Sequence, residues 1–296
     1  KTDGTLWAWG GNGCGDLGDG TQTNRVTPVQ IGIDTNWASV AAGSNYTVAV
    51  KTDSTLWYWG GLPICDPDGS GCGAVCQATP VLYGSGFTSV MGFRLTDSAI
   101  FVVKQDGTLW ARGNNANGQL GDGTMISRND LVQIGTDSNW ASASLAGGSN
   151  DILAVKQDGT LWAWGENASG QLGDGTTANR GSAVQIGTDT NWASVSAGFA
   201  HTLAVKTDGT LWAWGSNVYG QLGIGSPDNF AHPNPVQIGS GYVSVSASMN
   251  LIPGNFAIKQ NGTLWAWGNN GLGQLGDGTT TDKSSPVLIG SGYAFV

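Results

Sequence analysis

Four cysteines are the residues of this chain with the clearest chemical potential. They are Cys14, Cys65, Cys72 and Cys76, among 296 residues. Thiols pair as disulfides, or bind Zn²⁺ as thiolates in tetrahedral sites. Because the spacing lacks the C-x-x-C pair of a zinc knuckle, we expect one bridge from Cys14 to the other three and one bridge among those three. A four-Cys zinc site and free thiols are the alternatives, and disulfides would predict an oxidising compartment.

The two histidines offer little for acid–base chemistry. His201 falls where other copies of the same sequence pattern carry Tyr46 and Asp151, which indicates a packing residue rather than a general base. His232 has no acid and nucleophile near it in the sequence. Serine is plentiful, but no G-x-S-x-G elbow or nucleotide-binding glycine motif stands in the required strand-to-helix context. We therefore expect neither an enzyme nor a cofactor.

These residues lie in a chain built of repeats. The phrase K-T-D-G-T-L-W-A-W-G begins at Lys1 and returns, with small changes, at Lys51, Lys104, Lys156, Lys206 and Lys259. We number these copies as repeats one to six. Self-similarity at a period of 50–53 residues is typical of a solenoid or a propeller, so the repeat unit decides the fold.

Each repeat is predicted to form four short antiparallel strands. In repeat five, W-A-S-V-S-A and H-T-L-A-V-K are followed by the hairpin turn Asp208-Gly209, and then by T-L-W-A-W-G and P-V-Q-I-G. Both faces of T-L-W-A-W-G are apolar, as a sheet packed between two neighbours requires. The sequence therefore predicts an all-β fold, a β-propeller of four-stranded blades.

The blade boundaries follow from the repeat. Five complete blades are predicted at 37–84, 87–135, 139–187, 191–239 and 242–290, within a single propeller domain over 1–296. Residues 1–32 would supply strands three and four of a partial blade, and residues 292–296 a first strand for closing it. Either a six-bladed ring closes imperfectly, or the sequence is a slice of a longer protein. Since a natural propeller completes its blades, we favour the slice. The open blade edge would otherwise invite association with a second copy or a filament.

A charged pair recurs in the loop between strands three and four. The Asp of L-G-D-G-T is followed six positions later by a basic residue in the pairs Asp19–Arg25, Asp122–Arg128, Asp174–Arg180 and Asp277–Lys283. In repeat five, Ile224 replaces the Asp, and Phe230 and Ala231 stand where the basic residue is expected. We predict a loop-closing ion pair, which contributes about 0–1 kcal/mol when exposed. Calcium is a weaker alternative, because calcium loops gather several oxygen ligands.

Composition excludes several classes of function. Charged residues make up only 11%, and the formal net charge is -9. With 12 Lys and Arg against 21 Asp and Glu, and no basic cluster, a nucleic-acid partner is not expected. No stretch approaches the roughly 20 apolar residues of a membrane-spanning helix, so membrane insertion is not expected either.

The repeated signature resembles the regulator of chromosome condensation repeat family. The motifs that carry the resemblance are L-W-A-W-G-x-N-x-x-G-Q-L-G-D-G-T, P-V-Q-I-G and S-V-S-A-G-x-x-H-T-L-A-V, and they cover essentially the whole chain. The resemblance implies a β-propeller, commonly of seven blades, and the K-x-D-G-T-L-W-A-W-G form is similar to the bacterial secreted or cell-surface branch. The founding members resemble exchange factors for a small GTPase that dock on chromatin. This acidic chain lacks the basic surface that chromatin would require.

Candidate binding residues are those at which one repeat departs from the others. They are Phe93, Arg94, Arg112, Tyr219, Phe230, His232, Met249 and Leu251. Arg112 replaces a blade Trp and is expected to expose a cationic edge. Drift in tolerant loops is the alternative, although aromatic residues and Arg favour binding hot spots.

The function predicted from the sequence is a non-enzymatic interaction module, extracellular or on a cell surface. It would present loops to a protein or a glycan, as part of a larger adhesin, sheath or filament. A secreted inhibitor of an enzyme is the second hypothesis, and a GTPase exchange factor is the third.

Overall fold

The computed structural model describes residues 1–43, 45–65, 72–92, 99–140, 144–148, 150–249 and 253–294. Their regular secondary structure consists of strands, and no helix able to cross a membrane is found among them. The strands form one two-stranded sheet and five four-stranded sheets, each antiparallel and connected in sequence order. Contacts within the chain group these sheets into two compact units.

The first unit holds the sheets of repeats one, two and three. The strands are β1 (Trp7–Gly10) and β2 (Arg25–Gln30) in repeat one; β3 (Trp37–Ala42), β4 (Tyr46–Lys51), β5 (Thr55–Cys65) and β6 (Cys72–Ser85) in repeat two; and β7 (Phe87–Gly92), β8 (Ile100–Lys104), β9 (Leu109–Gly113) and β10 (Arg128–Gln133) in repeat three. A core that includes Val48, Leu56, Phe87 and Val102 joins the sheets of repeats two and three.

The second unit holds the sheets of repeats four, five and six, together with Asn117–Gly121. The strands are β11 (Ser144–Gly147), β12 (Asp151–Val155), β13 (Leu161–Gly165) and β14 (Arg180–Gln185) in repeat four; β15 (Trp192–Ala197), β16 (His201–Lys206), β17 (Leu211–Ser216) and β18 (Ala231–Gly239) in repeat five; and β19 (Tyr242–Ser246), β20 (Gly254–Lys259), β21 (Thr263–Gly268) and β22 (Lys283–Ser291) in repeat six. Two cores lie between consecutive sheets of this unit.

The third strand of each repeat explains why the sheets stack on both faces. In β17, Leu211 and Ala213 are fully buried on one face and Trp214 on the other. Trp214 Nε1 donates to the carbonyl oxygen of Gln171 in the preceding repeat, at 2.8 Å. Gly173 lies against that indole at φ +80°, where a Cβ atom would come within 2.7 Å of Trp214 Nε1. Glycine is therefore required at this close approach.

Two segments differ from the sequence prediction. Repeat two replaces the usual loop by a long hairpin, in which β5 and β6 extend to Cys65 and Cys72. The predicted first strand at 292–296 is not formed over its described part, 292–294. A strand needs a neighbour to pair with. Tyr293 N donates a backbone hydrogen bond to Gly262 O at 3.0 Å. Tyr242 N donates the equivalent bond to Gly209 O one repeat earlier.

Candidate functional site

An ion pair closes the loop between the third and fourth strands in four repeats. The pairs are Arg25–Asp19, Arg128–Asp122, Arg180–Asp174 and Lys283–Asp277. In repeat one, Arg25 Nε donates to Asp19 Oδ2 at 2.6 Å, and the Asp19 side chain is only 3% exposed. The Arg25 guanidinium remains partly exposed to water, whereas the loop buries the Asp19 carboxylate. Each pair thus neutralises a buried carboxylate rather than joining two surface charges.

An asparagine side chain fills the centre of each of these loops. These residues are Asn12, Asn115, Asn167 and Asn270. In repeat four, Asn167 Nδ2 donates to Asp174 Oδ1 (3.1 Å) and to the carbonyl oxygens of Thr176 (3.0 Å) and Ala178 (3.1 Å). A calcium loop gathers the same kinds of oxygen around a cation. Here an amide nitrogen takes the central position, which the sequence reasoning missed although the Asn is part of the repeated motif.

These contacts keep the loop carboxylates ionised. Burial acts to raise the pKa of Asp19, but hydrogen bonds from Thr21, Arg25 and Asn12 outweigh burial and lower the pKa to about 2. The same balance lowers the pKa of Asp122 and Asp174. Each carboxylate therefore carries its negative charge at any physiological pH.

Repeat five closes the same loop with other residues. His232 pairs with Gly215 across the sheet, the position that Arg180 holds opposite Gly165 in repeat four. His232 Nε2 lies 3.0 Å from Asp228 Oδ1. The expectation that repeat five has no basic residue at this place is therefore wrong.

A longer loop explains why the sequence hid this pair. Ten positions separate Leu222 from His232, whereas eight separate Leu172 from Arg180. Counting a fixed number of positions therefore fails in repeat five. Asn217 keeps the central role, since its Nδ2 donates to Asp228 Oδ2 at 3.0 Å.

A disulfide joins repeats one and two. Cys14 is bonded to Cys76, with the two Cα atoms 4.8 Å apart. Beside it, Gly20 N donates to Ala78 O at 2.9 Å, the backbone contact that Gly175 makes to Pro233 in the second unit. Cys65 and Cys72 are opposed in the backbone register of the β5–β6 hairpin, but their side chains lie outside the described residues, so a second bridge stays a prediction.

A second repeated constellation surrounds the hairpin between strands two and three. In repeat five, Thr210 Oγ1 donates to Asp208 Oδ1 (2.7 Å) and accepts from Trp212 Nε1 (2.9 Å). Lys206 Nζ lies 4.2 Å from the Trp212 ring and 4.6 Å from the Trp192 ring, within cation–π range. The K-T-D-G-T-L-W signature is thus explained by contacts inside the repeat.

His201 is a buried packing residue. Its Nε2 lies 2.9 Å from Asn255 Oδ1, and burial lowers the pKa of the imidazole to about 4. The ring is therefore neutral at physiological pH. Tyr46 occupies the same position in repeat two, where its hydroxyl donates to Ala99 O at 3.1 Å.

Asp151 holds the corresponding position in repeat four, opposite Gly165. Both carboxyl oxygens are buried and have no hydrogen-bond partner. Burial, with a smaller contribution from the charge of Glu166, raises the pKa of Asp151 well above its ordinary value. This is the described carboxyl group whose environment most disfavours ionisation.

Apart from His232, which pairs with Asp228, the residues predicted to bind partners fall into three groups. Tyr219, Phe230 and Met249 lie on the surface, with exposed fractions of 36%, 78% and 38%. Arg112 is 7% exposed, so the predicted cationic edge is wrong. The side chain takes the place of a blade Trp, opposite Ile100, and is enclosed as that Trp would be. Phe93, Arg94 and Leu251 lie outside the described residues.

The first unit also contains a cleft that no sequence motif marked. It has a volume of about 610 Å³ and includes Trp9, Asp16, Asn45 and Tyr46 in its walls. Burial raises the pKa of Asp16, although backbone N–H groups of Cys14 and Gly61 act against this. Trp9 is 60% exposed, unlike its counterparts in other repeats.

Known structures share this architecture. Human WBSCR16 superposes with a TM-score of 0.74 at 20% identity, over 96% of this chain and 78% of the human chain. Yeast RCC1 (Prp20), in its crystal structure with Kap60, superposes with a TM-score of 0.72 at 22% identity, over 97% of this chain and 71% of that chain. At these identities the likeness establishes fold alone, and it confirms the predicted β-propeller built of four-stranded blades.

Sequence similarity extends along the chain as well. The ultraviolet-B receptor UVR8 of Arabidopsis thaliana is 29% identical over 300 residues, which is 95% of this chain and 65% of the receptor. The chain therefore spans about two thirds of the length of that relative. The family model described as an RCC1-like domain matches residues 1–295, and the chain accordingly belongs to the RCC1-like domain family.

Proposed function

We propose that this chain is a non-enzymatic module that binds other proteins through its strand-connecting loops, and that it works outside the cytoplasm. The observation that carries the proposal is a contrast between loops. In repeat four the loop side chains are small or polar, and they are used to close the loop itself. The loop of repeat five instead leaves Tyr219 and Phe230 in solvent. Exposed aromatic residues on a rigid scaffold are typical of protein-binding surfaces.

Three groups able to perform catalysis, His201, His232 and Cys14, are engaged in structure. His201 is neutral and hydrogen-bonded to Asn255, and His232 is held by Asp228. Cys14 is consumed in a disulfide. Each of these groups already has a structural partner, which favours binding over chemistry. The solved complex of yeast RCC1 with Kap60, a likeness at the level of fold, also favours a protein partner.

A glycan partner is less well supported than a protein. Sugar sites use exposed indole rings as stacking platforms. In repeat five, Trp214 is fully buried and the Trp212 ring lies under Lys206, whereas the exposed Trp9 belongs to the first unit. Tyr219 and Phe230 are the aromatic residues free to contact a ligand in repeat five. We expect a protein to bind there and an isolated sugar not to.

The extracellular part of the proposal rests on the Cys14–Cys76 bridge, because structural disulfides persist in oxidising compartments. It includes the possibility of a larger adhesin, sheath or filament. The test is protease shaving of intact source cells, followed by mass spectrometry of the released peptides under non-reducing conditions. Surface peptides that contain the Cys14–Cys76 link are expected. Recovery of the protein only from the cytoplasm, with reduced thiols, would overturn this part.

The binding part is tested by cross-linking at the surface of source cells and measurement of the affinity for each captured protein after its purification. A stoichiometric protein complex is expected. Binding to a purified glycan in the absence of any captured protein would contradict the proposal. Nucleotide-release assays with small GTPases provide a further arm, in which we expect no acceleration.

A further inference from the structure

The second unit presents a set of exposed apolar side chains at one end of its sheets. β16 begins at His201, which pairs with Gly215 near the end of β17. The turn before β16 and the loop after β17 therefore lie at the same end of the sheet. At this end Val218, Tyr219, Phe230 and Leu272 are all exposed. Repeat four has Ala168 and Ser169 where repeat five has Val218 and Tyr219.

These side chains belong to one continuous surface. Gly225 N donates to Ser284 O at 2.8 Å, and Ser284 Oγ donates to Gly225 O at 2.9 Å. These bonds fix the loop of repeat five against the start of β22. Asn270 N donates to Asp282 Oδ1 at 2.6 Å, which fixes the turn of Leu272 beside the same segment. We call Val218, Tyr219, Phe230, Leu272, Asp228 and Asp282 the rim surface.

The rim surface is acidic as well as apolar. The nearby cations Arg180 and Lys283 are already paired with Asp174 and Asp277. Among the described residues, Asp228 faces His232, and no Lys or Arg forms an ion pair with Asp228 or Asp282. Hydrogen bonds from Asn217 and His232 outweigh burial and lower the pKa of Asp228, so its charge persists. Two carboxylates thus flank the exposed apolar side chains, and neither has a Lys or Arg partner among the described residues.

We propose that the rim surface docks a basic polypeptide segment that carries an aliphatic or aromatic residue. The inference rests on the proposed function and names the chemistry of the partner. The apolar side chains supply area to remove from water, and the two carboxylates, which pair with no Lys or Arg among the described residues, attract Lys or Arg on either side of the contact. Acidic segments and neutral apolar segments gain only the burial of apolar area, without the attraction to the carboxylates.

The experiment uses three synthetic peptides and isothermal titration calorimetry at low salt. One peptide alternates Lys with Leu, the second replaces each Lys by Glu, and the third replaces each Leu by Ser. The full chain is compared with the double variant Phe230→Ala, Leu272→Ala, and separately with Asp282→Asn. The matched control is Met125→Ala, Ile126→Ala, which removes two exposed apolar side chains from the loop of repeat three. Thermal unfolding of each variant verifies that it is folded.

The Lys–Leu peptide is expected to bind, and the double variant to weaken binding by at least about tenfold. Asp282→Asn should weaken binding several-fold and reduce its dependence on salt. The control variant should bind as the unchanged chain does. Equal binding by the rim and control variants, or equal binding of the Lys and Glu peptides, would overturn the proposal that the rim surface docks a basic segment.

Absence of any peptide binding would overturn the docking proposal as well. The proposed function would not fall with it, because surface cross-linking and purified-partner affinities judge that function separately. A captured protein that binds the double variant as tightly as the unchanged chain would show that the module binds proteins elsewhere.

Discussion

The same ten residues occur in two different surroundings in this protein. K-T-D-G-T-L-W-A-W-G forms residues 1–10 and also residues 206–215. Trp7 Nε1 donates to Thr5 Oγ1 at 2.9 Å, and Trp212 Nε1 donates to Thr210 Oγ1 at the same distance. The second Trp differs sharply, because Trp9 is 60% exposed and Trp214 is fully buried.

The difference separates local from non-local structure. The hairpin contacts need only neighbouring residues, so they form in both copies. Burial of Trp214 needs β16 beside its strand and the loop of repeat four above its ring. β1 pairs with β2 alone. Identical sequence therefore produces identical turns, while the rest of the sheet decides which side chains become core.

The largest expected effect comes from replacing the second Trp of the ten-residue motif in repeat five, compared with the same change in repeat one. Trp214→Ala should lower the free energy of unfolding by about 3–5 kcal/mol, because it leaves a cavity and removes one of the two side-chain hydrogen bonds donated to the Gln171 carbonyl. Trp9→Ala should change it by less than about 1 kcal/mol, as for other exposed sites. Urea denaturation followed by circular dichroism measures both. Equal losses of unfolding free energy in the two variants would show that Trp9 and Trp214 contribute equally to stability, against this prediction.

The disulfide should stabilise the sheet that has the fewest strands. Replacing Cys14 and Cys76 together by Ser is expected to cost about 4 kcal/mol by the chain-entropy argument for a sequence separation of 62. Hydrogen exchange should accelerate in Trp7–Gly10 and remain unchanged in Leu211–Ser216. Faster exchange in both segments would mean that the bridge stabilises more than its own surroundings.

The loop that covers Trp214 depends on Asn167. Asn167→Ala removes three donated bonds and leaves buried acceptors unpaired, at a cost of about 1–3 kcal/mol. Asn217→Ala should cost less, because Asn217 Nδ2 donates to two acceptors rather than to the larger set around Asn167. Thermal unfolding compares them. The reverse order of stability would contradict the role assigned to this amide.

Asp151 should make stability depend on pH. The folded chain holds the Asp151 proton to higher pH than the unfolded chain does, so this carboxyl favours folding at low pH. Its contribution is lost as pH rises toward the raised pKa. Asp151→Asn should therefore stabilise the protein at neutral pH and leave it little changed in acid. Denaturation at a series of pH values tests this, with Asp130→Asn on the exposed part of β10 as the control.

The smallest effect is expected at His232. An imidazole is positively charged only when protonated, whereas Arg and Lys keep their charge. His232→Lys should stabilise the repeat-five loop by less than about 1 kcal/mol, because the lysine carries its positive charge throughout the physiological pH range. The charged groups around His232 are Asp228 and, in the loop packed beside it, the pair Asp174–Arg180. Exchange rates of the amides of 224–231 measure the effect, and the reciprocal Lys283→His should weaken the closure of the repeat-six loop.

The fold was accessible from sequence because the signal is repeated six times. Alternating apolar residues and Asp-Gly turns placed the first three strands of repeat five within one residue of the bounds observed for β15 to β17, whereas β18 begins at Ala231, four residues before the predicted start at Pro235. The positions of the four loop ion pairs also followed from counting residues. Both inferences depend on periodic spacing, which a repeat preserves.

Features that depend on neighbours were not accessible in this way. Arg112 was expected at the surface because it is charged, yet the sheet encloses it at the position of a blade Trp. The His232–Asp228 pair was hidden by a longer loop, and only the register opposite Gly215 reveals it. The exposure of Trp9 could not be read from a sequence that is identical to a buried copy.

The asparagine at the centre of each loop has a consequence for the surroundings in which the module keeps its shape. A loop organised around calcium loosens when the ion is withdrawn by a chelator or by a metal-poor medium. The Nδ2 group of Asn167 belongs to the polypeptide itself, so its presence at the centre of the loop does not depend on the concentration of any ion. The loops organised around this asparagine should therefore stay ordered when divalent ions are withdrawn.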